Sequence, residues 1–125
     1  MYRVLLVEDE PLILEGLCMA TPWAHYGCTV AGKAYNAEEA ERLIVELRPD
    51  IVITDINMPG GSGLELIERM KGRCGCEFII LSGYDQFEYA KKAVFLGVKG
   101  YILKPLDEEE LRTVLESAIR SLEQK

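Results

Sequence analysis

Three short stretches of the chain are apolar at every position: Val4-Leu5-Leu6-Val7, Ile51-Val52-Ile53 and Phe78-Ile79-Ile80-Leu81. They are rich in branched side chains, bounded by polar or turn residues, and too short for helices. Strands covered on both faces read this way, as in a parallel sheet. Two weaker segments, 29–34 and 100–103, read as edge strands; Lys33 lies within the first and Lys99 precedes the second, which suits a partly wet edge.

The segments between them carry helical periodicity and their own punctuation. Asn36-Ala37-Glu38-Glu39 resembles a capping box, followed by Ala37, Ala40, Ile44 and Leu47 on one face and a stop at Pro49. Ser62-Gly63-Leu64-Glu65 opens a second such helix, which Gly72 can close. Asp85-Gln86-Phe87-Glu88 opens a third, with Tyr84 and Tyr89 placed as a staple. Asp107-Glu108-Glu109-Glu110 opens a fourth, stapled by Leu106 and Leu111, with Leu111, Val114, Leu115, Ala118 and Leu122 on its apolar face. Residues 11–19 form the least punctuated helix, with Ile13, Leu14, Leu17 and Cys18 clustered on one side. Five strands alternating with five helices imply right-handed crossovers and a doubly wound α/β sheet. The continuous apolar runs belong at its centre, which gives the flavodoxin-like (βα)5 arrangement with strand order 2-1-3-4-5.

With 125 residues, one domain covering 1–125 is expected. The net charge of −7 argues against direct binding of nucleic acid or anionic lipid. No apolar run approaches the roughly 20 residues of a membrane helix. The amino-terminal apolar stretch runs into Glu8-Asp9-Glu10 and is not read as a signal peptide, so a cytoplasmic location is expected. Cys18, Cys28, Cys74 and Cys76 form no CxxC pair and are expected as free thiols, with a zinc or redox use of Cys74-Gly75-Cys76 as the alternative. His25, beside Trp23 and Tyr26, is expected to pack in a loop far from any site.

Ligands of such sheets bind beyond the carboxyl ends of the strands, at the switch between strands 1 and 3. There the chain places Glu8-Asp9, Thr54-Asp55, Ser82-Gly83 and Lys104-Pro105. Each of these residues alone is an ordinary turn, cap or surface charge. Together they set three carboxylates against one lysine, a repulsion of about several kcal/mol at intermediate dielectric. A hard divalent cation held by carboxylates, a carbonyl and waters would relieve it, and magnesium fits best. A metal, a lysine, a hydroxyl and a central carboxylate suit phosphoryl transfer, with Asp55 as nucleophile.

The elements VLLVEDE, DIVITDINMPGGSGLELI, FIILSGYDQFEYAKKAV and GYILKP resemble those of the receiver domain of bacterial two-component response regulators, over nearly the whole chain. The resemblance implies that Asp55 is the phosphoacceptor. It implies that Glu8 and Asp9 form the acidic pair, and that Mg2+ is held by Glu8, Asp9, Asp55 and the backbone carbonyl of Asn57. Ser82 stands at the hydroxyl position and Lys104 at the signature lysine position, with a cis bond to Pro105. Tyr101 stands at the aromatic switch position. Glu8 occupies a place where the family often has aspartate, and Asn57 and Tyr84 occupy variable places that influence phosphoryl lifetime. The implied partner is a sensor histidine kinase, and the implied reporting face is the fourth helix, fifth strand and fifth helix, including Lys91, Lys92, Glu116 and Arg120. The run SGYDQFEYAKKAV resembles receivers attached to AraC-type helix-turn-helix regulators. It implies a C-terminal DNA-binding output domain outside this chain, transcriptional control, and a homodimer as a further expectation on activation.

Three rivals fit less well. A haloacid dehalogenase-type phosphatase needs a second aspartate where Asn57 stands. A flavin module needs a phosphate loop where Glu8-Asp9-Glu10 would repel it. A degenerate receiver would lack part of the set formed by the acidic pair, Asp55, Ser82 and Lys104.

Overall fold

The computed structural model describes residues 1–83 and 86–124. The elements alternate as expected: β1 (Tyr2–Val7), α1 (Pro11–Ala20), a short 3-10 helix (Trp23–Tyr26), β2 (Cys28–Ala34), α2 (Ala37–Leu47), β3 (Ile51–Thr54), α3 (Gly63–Met70), β4 (Glu77–Ser82), α4 (Phe87–Leu96), β5 (Gly100–Leu103) and α5 (Glu108–Glu123). All neighbouring strands are parallel and the order is β2-β1-β3-β4-β5. This is the flavodoxin-like arrangement.

The uninterrupted apolar runs divide by parity between two cores, because successive side chains point to opposite faces of a strand. Leu5, Val7, Val52, Phe78 and Ile80 meet Ala40 and Ile44 of α2, Leu66, Ile67 and Met70 of α3, and Ala93 and Leu96 of α4. Val4, Leu6, Ile51, Ile53, Ile79 and Leu81 meet Leu14 of α1 and Leu111, Leu115 and Ala118 of α5. β2 and β5 are the edges. Lys33 of β2 pairs with Glu15 at 2.8 Å, so that edge cation lies against α1.

The helix punctuation holds in detail at three of the four expected starts. Asn36 accepts the Glu39 N–H at 2.7 Å, while the Glu39 carboxylate accepts the N–H of Tyr35, one residue before the cap. Ser62 and Glu65 complete a reciprocal capping box on α3. Asp107 accepts the Glu109 N–H on α5. Asp85 and Tyr84 lie outside the described residues. α2 ends at Arg48, which turns left-handed (φ 48°) directly before Pro49, and α4 ends at Gly97 (φ 76°).

Several expectations need correction. Cys74 and Cys76 are joined in a disulfide; only Cys18 and Cys28 are free thiols. The one-residue gap sets their Cα atoms 5.4 Å apart, within the range a disulfide spans. His25 does not pack; it is exposed, and Trp23 fills the space instead, donating its indole N–H to the Cys18 carbonyl at 3.0 Å. α1 buries only Leu14 and leaves Ile13 well exposed. Phe87, Val94 and Phe95 stand exposed on α4, a feature absent from the sequence expectations.

Candidate functional site

Parallel pairing brings the strand ends together. Val7 lies opposite Thr54 and the Asp55 N–H donates to the Val7 carbonyl at 3.0 Å, so the residues that follow β1 and β3 emerge side by side. Ser82 lies opposite Leu103, and the Lys104 N–H donates to the Ser82 carbonyl at 2.8 Å. The peptide bond from Lys104 to Pro105 is cis.

Oxygens of Glu8, Asp9 and Asp55 all lie within 4.8 Å of one another. Lys104 Nζ donates to Glu8 Oε1 at 2.6 Å and to Asp55 Oδ2 at 3.4 Å, crossing from the far side of the sheet. Glu8 is 4% exposed, Asp55 8% and Ser82 0%, so the group sits in a recess rather than on an open surface. Buried carboxylates this close repel, and one ammonium offsets only part of the charge. Burial, followed by a hydrogen bond with Glu8, holds the Asp9 carboxyl above its ordinary range, against the opposing pull of Lys104. Burial would lower Lys104, but its hydrogen bond to Glu8 and the charges of Asp55 and Glu8 outweigh this and hold the ammonium above its ordinary value. A set of hard carboxylate oxygens in charge excess fits a hard divalent cation in chemistry.

The backbone around Asp55 is closely tied. The Ile56 N–H donates to Asp55 Oδ1 at 2.7 Å, leaving Oδ2 on the lysine side. The Thr54 hydroxyl donates to the Asp55 carbonyl at 2.9 Å. Gly63 donates its N–H to the Ile56 carbonyl at 2.7 Å, and any Cβ on Gly63 would collide with the Asp55 carbonyl. The helix-start pattern of Ser62-Gly63-Leu64-Glu65 carries no signal of this close approach, which depends on how α3 settles against the Asp55 loop. Gly60 and Gly61, in the loop after the carboxylate, take positive φ, at 80° and 153°, which glycine adopts without a Cβ clash.

The remaining expected residues fall at different distances from this group. Asn57 is exposed in the loop that follows Asp55. Tyr101 is half-buried in β5 opposite Ile80, and packs against the α2–α4 core. Strand parity puts Ser82 on the same sheet face as Ile80, so Ser82 and Tyr101 are diagonal neighbours on that face. Lys91, Lys92, Glu116 and Arg120 are exposed on α4 and α5; Lys92 lies 3.7 Å from Glu68, and Glu116 lies 3.8 Å from Arg112.

The family model for the response regulator receiver domain matches residues 4–116. The transcriptional regulatory protein YesN of Bacillus subtilis is 44% identical over 126 residues, which span 100% of this chain and 34% of that protein. The transcriptional regulatory protein HptR of Staphylococcus aureus is 38% identical over 98% of this chain and 48% of its own length. The chain thus spans between a third and a half of these relatives. Among solved structures, the REC domain of AraT, a response regulator from Geobacillus stearothermophilus, superposes with a TM-score of 0.88 at 35% identity, covering 98% of this chain and 96% of that one.

Proposed function

The chain belongs to the response regulator receiver domain family, and from that premise we propose that it is a phosphorylation-dependent switch whose phosphoacceptor is Asp55. The observation that carries this reading is the meeting of Glu8, Asp9 and Asp55 within 4.8 Å, with Lys104 reaching two of them.

Asp55 Oδ1 is held by the Ile56 N–H and Oδ2 faces Lys104, so Oδ2, beside the cation that would receive a phosphoryl oxygen, is taken as the attacking oxygen. It forms a bond to phosphorus while the bond from phosphorus to the donor breaks, the electron pair leaving with the imidazole nitrogen of a kinase phosphohistidine. The product is an acyl phosphate. Lys104 Nζ, 3.4 Å from Oδ2, neutralises a phosphoryl oxygen, and the Ser82 hydroxyl donates to another. Glu8, Asp9, Asp55 and the Asn57 carbonyl would hold a magnesium ion, which would supply further charge neutralisation. The chain modifies its own side chain and turns over no external substrate.

The phosphoryl group adds charge and acceptor oxygens at the strand tips. Ser82 shifts toward it, and Tyr101, its diagonal neighbour, turns into the space behind. The face of α4, β5 and α5 reports the change, and the exposed Phe87 and Val94 give α4 apolar contact area. Residues 1–125 form the receiver unit of a longer regulator, in keeping with the greater length of YesN and HptR. The reading extends to a C-terminal DNA-binding output domain, control of transcription, and pairing of two chains on activation.

Incubation with acetyl phosphate and Mg2+ tests the chemistry without the kinase. We expect one acid-labile phosphate per chain, none in Asp55→Asn, and none in excess chelator. Undiminished labelling of Asp55→Asn would refute the assignment.

A further inference from the structure

The cysteine pair has no part in the acidic site. Cys76 directly precedes β4, and the strands are parallel, so the pair lies at the end of the sheet opposite Asp55. A bond that closes a loop of three residues constrains the unfolded chain far less than a long-range one, which leaves stapling as its weakest use. Cys74 is half-buried and Cys76 is buried at 8% exposure, so one sulfur is reachable and the other is shielded. Cys74 lines a cleft of about 470 Å³ shared with Arg48, Pro49, Asp50, Met70 and Arg73. The Asp50 carboxylate in that cleft already accepts the Arg3 N–H. Neither Arg48 nor Arg73 forms an ion pair among the described residues. Arg48 and Arg73 line the same cleft as Cys74, and a cationic lining favours the reactive thiolate.

We propose that Cys74 and Cys76 form a reversible thiol–disulfide exchange site, whose co-reactant is a small carboxylate-bearing disulfide received beside Arg48 and Arg73. The Cys74 thiolate attacks one sulfur of that disulfide, forming a mixed disulfide and releasing one thiolate. The Cys76 thiolate then attacks Cys74 Sγ, closes the intramolecular bond and expels the second thiolate. Two protein thiols are oxidised, one small disulfide is reduced to two thiols, and the two cysteine protons pass to the leaving groups. The reverse steps reopen the pair. None of this rests on the phosphoacceptor reading.

The test treats the pre-reduced chain with oxidised glutathione, quenches with acid, and maps adducts by mass spectrometry, with circular dichroism to establish folding of each variant. We expect the parent chain to close the 74–76 bond and Cys76→Ser to retain glutathione on Cys74. Cys74→Ser should leave Cys76 unmodified. We expect Arg48→Ala with Arg73→Ala to slow exchange about threefold or more with glutathione disulfide, and to leave exchange with neutral hydroxyethyl disulfide unchanged. Failure of the bond to form, modification of Cys18 as fast as Cys74, or a rate with the charged reagent that ignores the arginine substitutions would each overturn the proposal.

Discussion

Both ends of the sheet bury a carboxylate, and they treat it differently. At the amino-terminal end, Glu77 is 9% exposed, accepts a hydrogen bond from the Ser121 hydroxyl at 3.2 Å, and lies 3.9 Å from Lys99. Lys99 stands opposite its charge. At the carboxyl-terminal end, Glu8, Asp9 and Asp55 lie together and Lys104 pairs with two of them, Glu8 and Asp55. The same residue types thus serve structure at one end and stand in charge excess at the other. The excess has a stability cost that a structural role does not require, and under the proposed function a cation and a phosphoryl group would relieve it.

Backbone packing separates the two ends most sharply. Gly63→Ala drives a Cβ into the Asp55 carbonyl, and we expect a loss of about 3 kcal/mol in urea unfolding. Gly72→Ala, at the other end, meets nothing within 4 Å, and we expect a change within about 0.5 kcal/mol. Equal costs would mean that the acidic end is not tightly built.

Lys104→Met leaves three carboxylates without their ammonium, and we expect a loss of about 2 kcal/mol in chelator. Millimolar Mg2+ should restore most of it, since a ligand that binds only the folded chain stabilises it. Persistence of the full deficit in Mg2+ would count against the cation.

Neutral isosteres should then move the two ends in opposite directions. Glu77→Gln removes half of a matched pair and should cost about 1 kcal/mol. Asp55→Asn relieves repulsion and should stabilise the cation-free chain by about 1 kcal/mol. Destabilisation by both would erase the distinction.

The smallest effect is on pH. Asp9 binds its proton more tightly in the folded chain than unfolded, so its share of stability is present below its ordinary value of 3.8 and is lost as pH rises through the raised value. We expect the parent chain to lose stability relative to Asp9→Asn as the pH is raised from 3.8 in chelator. A flat difference would contradict the burial and the Glu8 hydrogen bond that hold the Asp9 carboxyl above its ordinary range.

Much of this was legible in the sequence because it depends on local pattern. Branched apolar runs fix the central strands, and in a doubly wound sheet the residue after each strand must lie at one end. Glu8, Asp9, Asp55 and Lys104 could therefore be brought together before any coordinates. The shift of register between Val4 and Leu5, the approach of Gly63 to Asp55 and the exposure of α4 depend on how whole elements settle against one another. The Cys74–Cys76 bond depends on the path of a single turn, which periodicity does not encode. Trp23 and His25 are neighbours in sequence with opposite fates, decided by which way a 3-10 turn faces the α1/α5 core.

The most direct test is a Mg2+ titration followed residue by residue in the backbone amide NMR spectrum. We expect saturable shifts at Glu8, Asp9, Asp55, Ile56 and Lys104, silence around Asp50, Glu77 and Lys99, and loss of the shifts in Asp55→Asn. Shifts spread evenly over both ends of the sheet, or none at the strand tips, would contradict the claim that the charge excess there is a cation site.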